Sequence, residues 1–133
     1  MKVGVLTAMI FALTVGFPIA SMAGLAPDTD SDGVPDAIDN CDLVANAAPD
    51  DCDTNTDGFG NACDCDYDQS GACDVTDFNT FRTSFQNPGS NADTDANCDG
   101  ATNVTDFNAF RTGFQNPGNL SSGLSCAGTI PCS

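Results

Sequence analysis

Apolar residues are distributed along this chain in three different ways. Val3 to Phe17 is an almost unbroken apolar run. Between Gly24 and Asp64 the larger apolar side chains are scattered, at Val34, Ile38, Leu43, Val44 and Phe59. They show neither the alternation of a strand nor the spacing of a helix face. A periodic signal follows, and it occurs twice. Phe78, Phe81 and Phe85 stand at i, i+3 and i+7, and Phe107, Phe110 and Phe114 repeat that spacing 29 residues later. Each set predicts a short helix with one aromatic face. Asn87-Pro88-Gly89 and Asn116-Pro117-Gly118 supply the stops. Residues 74–89 (DVTDFNTFRTSFQNPG) and 103–118 (NVTDFNAFRTGFQNPG) agree at thirteen of sixteen positions, so the two copies should fold alike. The expected arrangement is two antiparallel helices packed through all six Phe about a pseudo-twofold axis. A buried Phe contributes roughly 1.5–3 kcal/mol relative to exposure, so this core is small and marginal by itself.

The polar positions carry a second pattern. Four stretches place oxygen-bearing residues at positions 1, 3, 5, 9 and 12, with glycine at position 6. The first is Asp28, Asp30, Asp32, Gly33, Asp36 and Asp39; the second is Asp53, Asn55, Asp57, Gly58, Asn61 and Asp64. The third is Asp66, Asp68, Ser70, Gly71, Asp74 and Asp77; the fourth is Asp95, Asn97, Asp99, Gly100, Asn103 and Asp106. This is the spacing of a twelve-residue calcium loop. Calcium takes six to eight oxygens at roughly 2.3–2.6 Å, and alternate residues of a tight loop can aim oxygens at one centre. The glycine permits the sharp turn. Position 7 adds a main-chain carbonyl, here from Val34, Phe59, Ala72 or Ala101. About four ions are therefore expected. The loops are not ordinary sensor hands, for two reasons. The chain has no Glu, so position 12 is always the shorter Asp, and no helical pattern precedes any loop.

Charge sharpens this reading. Lys2, the apolar run and Ser21-Met22-Ala23 have the form of a secretory leader over residues 1–23, with cleavage expected before Gly24. Nothing after Gly24 is apolar for long enough to cross a bilayer. The remaining 110 residues carry 19 Asp against Arg82 and Arg111, a formal charge of −17, and fifteen of those Asp lie in the four loops. Without metal the carboxylates repel one another strongly enough to oppose folding. Four calcium ions would bring the charge to about −9. Such a surface excludes nucleic acid as a partner and membrane insertion.

All eight cysteines follow the leader: Cys41, Cys52, Cys63, Cys65, Cys73, Cys98, Cys126 and Cys132. An even count in a small exported chain implies a disulfide framework. Cys126 and Cys132 are expected to close the tail on itself. Six cysteines then allow fifteen connectivities, among which Cys41–Cys63 is favoured because it clips the second loop to the first. The Cys63-x-Cys65 spacing resembles a zinc corner, but the chain has no His and the compartment is oxidising. Catalysis is disfavoured too. His, Glu and Trp are missing, the one Lys lies in the leader, and the aspartates are committed to metal. Asn119-Leu120-Ser121 and Asn103-Val104-Thr105 match the glycosylation pattern, although Asn103 has the better use as a ligand.

The fold class read from these features is small and mostly irregular/α. It has disulfide- and calcium-stabilised loops over residues 24–64, a duplicated loop–helix unit over 65–118, and a Ser/Gly-rich tail over 119–133. The motifs resemble two known families. Asp28 to Asp64 (DTDSDGVPDAIDNC, then DTNTDGFGNACD) resembles thrombospondin type 3 repeats. Asp66 to Pro117, with its duplicated D-x-[DN]-x-[DS]-G-x-x-[DN]-V-T-D-F-N-x-F, resembles a type I dockerin. Together they span about 90 of the 110 residues, in an order similar to that at the ends of many exported bacterial proteins. The resemblance implies calcium in all four loops and an F-hand, a loop plus one helix. It also implies a cohesin-like partner, contacted by Val75, Thr76, Arg82 and Thr83 in one copy and by Val104, Thr105, Arg111 and Thr112 in the other. Because the two sets are identical, a partner could bind in two orientations. The chain departs from the dockerin pattern at Cys73, in position 8, and at Cys98, in position 4. The expected function is that of a secreted, non-catalytic calcium-binding protein that docks to another protein. The alternative is a subunit that assembles with itself into an extracellular layer or filament.

Overall fold

A computed structural model describes residues 26–132, so the expected leader lies outside the described residues. Two α-helices are present, α1 (Val75–Gln86) and α2 (Val104–Gln115), with 3-10 turns at Asp36–Ile38, Ala92–Thr94 and Pro117–Asn119. Among the described residues there is no strand, and no helix is long and apolar enough to cross a membrane.

Each helix grows directly out of the loop before it. Asp74 is the N-cap of α1; its carboxylate accepts the Thr76 N–H, while Asp77 reaches back to the Asp74 N–H at 2.8 Å. Asn103 and Asp106 make the same reciprocal cap on α2. A cap of this kind stabilises a helix end by about 1 kcal/mol. Both helices stop two residues before proline. The Asn87 and Asn116 amide side chains donate to the Thr83 and Thr112 carbonyls at 3.2 and 3.0 Å, alongside the main-chain N–H of the same residues.

The helices meet through aromatic rings. Phe81 and Phe110 lie 5.4 Å apart, centroid to centroid, and are both buried. Phe78 meets Phe110 at 6.0 Å and Phe81 meets Phe107 at 5.8 Å, so the earlier ring of each helix faces the later ring of the other. That is antiparallel packing with twofold exchange. The core is smaller than the six rings expected. Phe78 and Phe107 are half-buried, and Phe85 and Phe114 are 46% and 45% exposed. The third ring of each stripe lies beyond the two that pair across the helices, and it touches only the preceding ring of its own helix. Tyr67, stacked 5.9 Å from Phe110, and the Cys65–Cys73 pair fill part of the gap.

The copies differ at three positions of the repeat, and two of these differences have a visible cause. Cys65 and Cys73 form a disulfide in the first copy. The equivalent residues of the second copy, Thr94 and Thr102, are joined by a hydroxyl–hydroxyl hydrogen bond of 2.7 Å. The larger sulfur pair crowds α2. A Cβ on Gly113 would stand 2.8 Å from Cys65 Sγ, whereas its counterpart Ser84 is accommodated and buried. Ala109, in place of Thr80, lines a cleft with Val44 and Ala62 where residues 44–63 cross the back of α2.

Residues 26–64 have no helix beyond the Asp36–Ile38 turn, and covalent links replace a core there. Cys41–Cys63 ties the first loop to the second and Cys126–Cys132 closes the tail, both as expected. Cys52–Cys98 joins this region to the fourth loop across 46 residues. The tail is not a separate appendage. Gly123 N–H donates to the Asp39 carbonyl, and Gly128 and Cys132 donate to Asp57 and Thr56 in the second loop. A Cβ on Gly123 or Gly58 would collide with Asp36 or Ala127 main-chain atoms, which is why both crossings use glycine.

These links differ in what their removal should cost. Cys52→Ser with Cys98→Ser opens a long loop and should lower stability by about 4 kcal/mol. Cys65→Thr with Cys73→Thr recreates the Thr94–Thr102 pair and should cost about 2 kcal/mol or less. Urea unfolding of both double variants checks the order; equal losses would show that the hydroxyl pair is no substitute for the disulfide.

Candidate metal centres

The four loops share one backbone. Position 4 is left-handed in each, at Ser31, Thr56, Gln69 and Cys98, with φ between 56° and 66°. Position 6 is left-handed as well, at Gly33, Gly58, Gly71 and Gly100, with φ from 89° to 98°. Glycine adopts this freely; Ser, Thr, Gln and Cys do so at some cost. The side-chain pattern explains how that cost is met. The position 1 carboxylate accepts the position 6 N–H in every loop, at 3.1, 2.8, 2.6 and 2.7 Å. The position 3 oxygen accepts the position 5 N–H in every loop, at 3.1, 3.1, 3.1 and 3.3 Å. Asp32, Asp57 and Asp99 at position 5 accept the position 7 N–H, from Val34, Phe59 and Ala101. In the third loop Ser70 instead donates its hydroxyl to the Ala72 carbonyl.

These bonds pull positions 1, 3 and 5 toward one centre. Asp28, Asp30 and Asp32 bring carboxylate oxygens within 4.8 Å of one another, and so do Asp66, Asp68 and Asp77. Either group could hold a cation. Among the described residues, buried oxygens without any donor include Asp28 Oδ1, Asp30 Oδ2 and Asp39 Oδ2. A bare buried carboxylate oxygen is costly unless a cation or a proton answers it, so the donor set fits a hard cation.

Position 12 is buried in every loop, at Asp39, Asp64, Asp77 and Asp106, but it works in two ways. Asp77 and Asp106 are the third residues of α1 and α2. They bond back to the N-cap and to the loop N–H groups of Asp68, Ala96 and Asn97. The short Asp side chain suits this double duty. Asp39 and Asp64 instead accept the N–H two residues further on, from Cys41 and Asp66, each at 2.8 Å.

Position 9 is engaged with protein groups in all four loops. Asp36 accepts both the N–H and the hydroxyl of Thr29. Asn61 accepts the Thr54 N–H and donates to Thr54 Oγ1 and to the Ala92 and Asp95 carbonyls. Asp74 and Asn103 are the N-caps of the helices. These bonds hold the loop shut. Neither these bonds nor the left-handed position 4 announces itself in the ligand spacing. The bonds joining loops are equally hidden: Gln69 of the third loop donates to Asp57 of the second at 2.8 Å.

With this geometry in view, the chain was compared with known proteins. No family model, curated protein or solved structure matches it.

The proposed contact residues of the duplicated unit are all exposed, with Val75 at 65% and Val104 at 64%. They frame two apolar grooves. One is lined by Phe78, Phe81, Arg82, Phe85, Val104 and Phe107, the other by Phe107, Phe110, Arg111, Phe114, Val75 and Phe78. Exchange of the two copies converts one list into the other. Thr105 and Thr112 differ from Thr76 and Thr83 in also lining the clefts beside Val44 and Ala62.

Electrostatics set the state of the loops without metal. Burial pushes the Asp64 carboxyl up to about 7, helped by the charges of Asp57, Asp66 and Asp93 and opposed by the Asp66 N–H. Burial also raises Asp30, Asp39, Asp77 and Asp93. Asp32 is held down by the Asn46 and Val34 N–H groups. In chelator, folded Asp64 keeps its proton to about pH 7, whereas the unfolded chain releases it near 3.8. Its contribution is therefore fully present below 3.8 and is lost as pH rises to 7. Chelated protein should be less stable at pH 8 than at pH 4 by about 3–4 kcal/mol from this group. Asp64→Asn should remove most of that slope. Urea unfolding in chelator at the two pH values is the check, and a flat profile for the wild-type chain would show that no buried carboxylate charge is at stake.

Proposed function

We propose that this is an exported, non-catalytic calcium-binding protein whose duplicated half docks to a cohesin-type partner. Calcium is favoured because every donor at positions 1, 3, 5 and 12 is an oxygen, as a hard cation requires. It is also favoured by buried carboxylate oxygens that lack donors. The observation that carries the docking reading is the pair of twofold-related apolar grooves, each with a half-exposed Phe, an exposed Val and one Arg at its edge. Arg82 and Arg111 are the only basic side chains after the leader, and both stand at these grooves. An exposed apolar patch with a charged rim is the usual form of a protein-binding surface. The thrombospondin type 3-like region braces the unit from behind, on this reading, through Cys52–Cys98 and the contact with the back of α2.

Isothermal titration should give a calcium stoichiometry near four. Asp77→Ala or Asp106→Ala should remove one ion and lower the melting temperature, because position 12 ties a helix cap to its loop. A variant that keeps four ions and an unchanged melting temperature would refute that assignment.

Docking is tested by surface binding to a panel of type I cohesin domains in calcium. Val75→Asp or Val104→Asp alone should change affinity by about twofold, since the other groove remains. The double variant should lose about 100-fold, or about 2.7 kcal/mol, with calcium stoichiometry unchanged. Size-exclusion chromatography provides the opposite arm: high-mass species of this chain alone, disrupted by the double variant, would favour self-assembly instead.

A further inference from the structure

Asp-Gly occurs three times in the chain, at Asp32-Gly33, Asp57-Gly58 and Asp99-Gly100, always at positions 5 and 6 of a loop; the third loop has Ser70-Gly71 there. The pair has a chemistry of its own. Glycine carries no Cβ, so its amide nitrogen can approach the side-chain carbon of the aspartate before it. The nitrogen attacks Cγ and an N–Cγ bond forms. The Cγ–OH bond breaks, and the hydroxyl leaves with the amide proton as water. Water then opens the five-membered imide. Opening at the main-chain carbonyl leaves isoaspartate, with the chain running through Cβ and Cγ and with mass and charge unchanged.

Ring closure requires the pair to leave its hydrogen bonds, and the three pairs are held to different degrees. Asp57 is 2% exposed. Its Oδ1 accepts the Phe59 N–H, its Oδ2 accepts Gln69 of the third loop at 2.8 Å, and its carbonyl accepts the Gly128 N–H of the tail at 2.7 Å. Gly58 is buried, and a Cβ there would stand 2.8 Å from Ala127 Cα. Asp32 is half-buried, and its Oδ2 accepts the N–H of buried Asn46 at 2.9 Å. Asp99 and Gly100 are both exposed. The donors to the Asp99 carboxylate are Ala101 N–H at 3.0 Å and the Asn97 and Asn103 amides at 3.2 and 3.3 Å, all from its own loop. Gly100 N–H donates to Asp95 of the same loop, and a Cβ placed on Gly100 would meet nothing within 4 Å. The Cys52–Cys98 disulfide pins the residue before Asp99, whereas ring closure turns the bonds that follow it.

We propose that Asp99-Gly100 is a site of covalent self-modification, at which the folded chain converts Asp99 to isoaspartate through the imide, while the folded second loop keeps Asp57-Gly58 from doing the same. The reactants are the chain's own amide and carboxyl group, and water. No bound ion takes part, so the inference stands apart from the calcium reading. Opening an exposed loop locally costs far less than opening a packed one, which places Asp99 first, Asp32 second and Asp57 last. The added main-chain methylene carries the Gly100 and Ala101 N–H groups out of register with the oxygens they now meet, so the modified loop loses the bonds that close it.

The test incubates the full oxidised chain in warm, mildly acidic buffer, with a second sample reduced and held in urea. Isoaspartate is then mapped by digestion and electron-transfer mass spectrometry. In urea, where the loops are gone, the three pairs should react within about threefold of one another. In the native chain Asp99 should isomerise about tenfold faster than Asp57, with Asp32 between them. Asp99→Glu, whose longer side chain does not close a five-membered ring, should abolish the product in that peptide and leave the other two unchanged. The proposal is overturned if Asp32 or Asp57 equals or outruns Asp99 in the native chain. It is overturned as well if the native Asp99 peptide stays unmodified.

Discussion

The structure depends on one constraint: carboxylates are packed closer together than they can be while all are ionised and bare. Each loop turns several aspartates inward, and among the described residues Arg82 and Arg111 are the only basic side chains to offset them. What keeps the loops closed is a set of main-chain N–H groups. Positions 5, 6 and 7 aim these groups at the carboxylates because positions 4 and 6 are left-handed. One oxygen of an aspartate is thereby stabilised as an acceptor while the other stays open toward the centre. A loop built this way calls for a positive ion, or for protons when the ion is missing. Both relieve the same repulsion, and at Asp64 burial raises the carboxyl, with the neighbouring charges of Asp57, Asp66 and Asp93 adding to it.

The same constraint explains why the protein needs so little apolar core. Among the described residues Phe81, Phe110 and Cys65 form the buried apolar cluster, with Tyr67, Cys73, Phe78 and Phe107 packed at its edge. That is too little for a domain of this size to stand on. Four disulfides and the loops themselves carry the remaining load. The Cys65–Cys73 and Thr94–Thr102 pairs occupy equivalent places and do equivalent work, one by a covalent bond and one by a hydrogen bond. The duplication has thus kept its geometry while changing its chemistry. Gly113 opposite Cys65 and Ser84 in the other copy show the neighbouring position following that change.

Much of this was legible in the order of residues, because the features concerned are local. The two short helices, their stops at Asn-Pro-Gly, the aromatic stripe and the oxygen spacing all act within a turn or two of the chain. Two of the four disulfides were legible for the same reason, since they close short or neighbouring segments. Other features depend on what the chain meets after folding. The exposure of Phe85 and Phe114 follows from which rings pair across the two short helices, which periodicity does not reveal. The left-handed Ser31, Thr56, Gln69 and Cys98 carry no signature of their own, because their conformation is imposed by the carboxylate of position 1 closing on position 6. The oxygens at position 9 fit a ligand pattern and also act as caps and clasps, and spacing alone does not reveal that second use.

The joints between the two halves show how the parts become one unit. The second loop touches all the others. Its Cys63 is bonded to Cys41 behind loop 1, Asp57 accepts Gln69 from the third loop, and Asn61 donates to the Asp95 carbonyl that opens the fourth. Cys52, just ahead of it, is linked to Cys98 inside that fourth loop. The tail closes over its other side, at Thr56 and Asp57. The second loop is therefore joined to each of the other three by a covalent or a hydrogen bond. Charge placed or removed there alters the energy of holding Asp57 and Asp64 together, and those residues are hydrogen-bonded to Gln69 and Asp66 of the third loop. On the proposed reading, in which each loop takes an ion, Asp66 and Gln69 of the third loop also donate to carboxylates of the second, so the two sites are neighbours in one hydrogen-bond network. Donors of one acidic loop answering carboxylates of the next, together with the disulfides, are what link four similar turns into one unit.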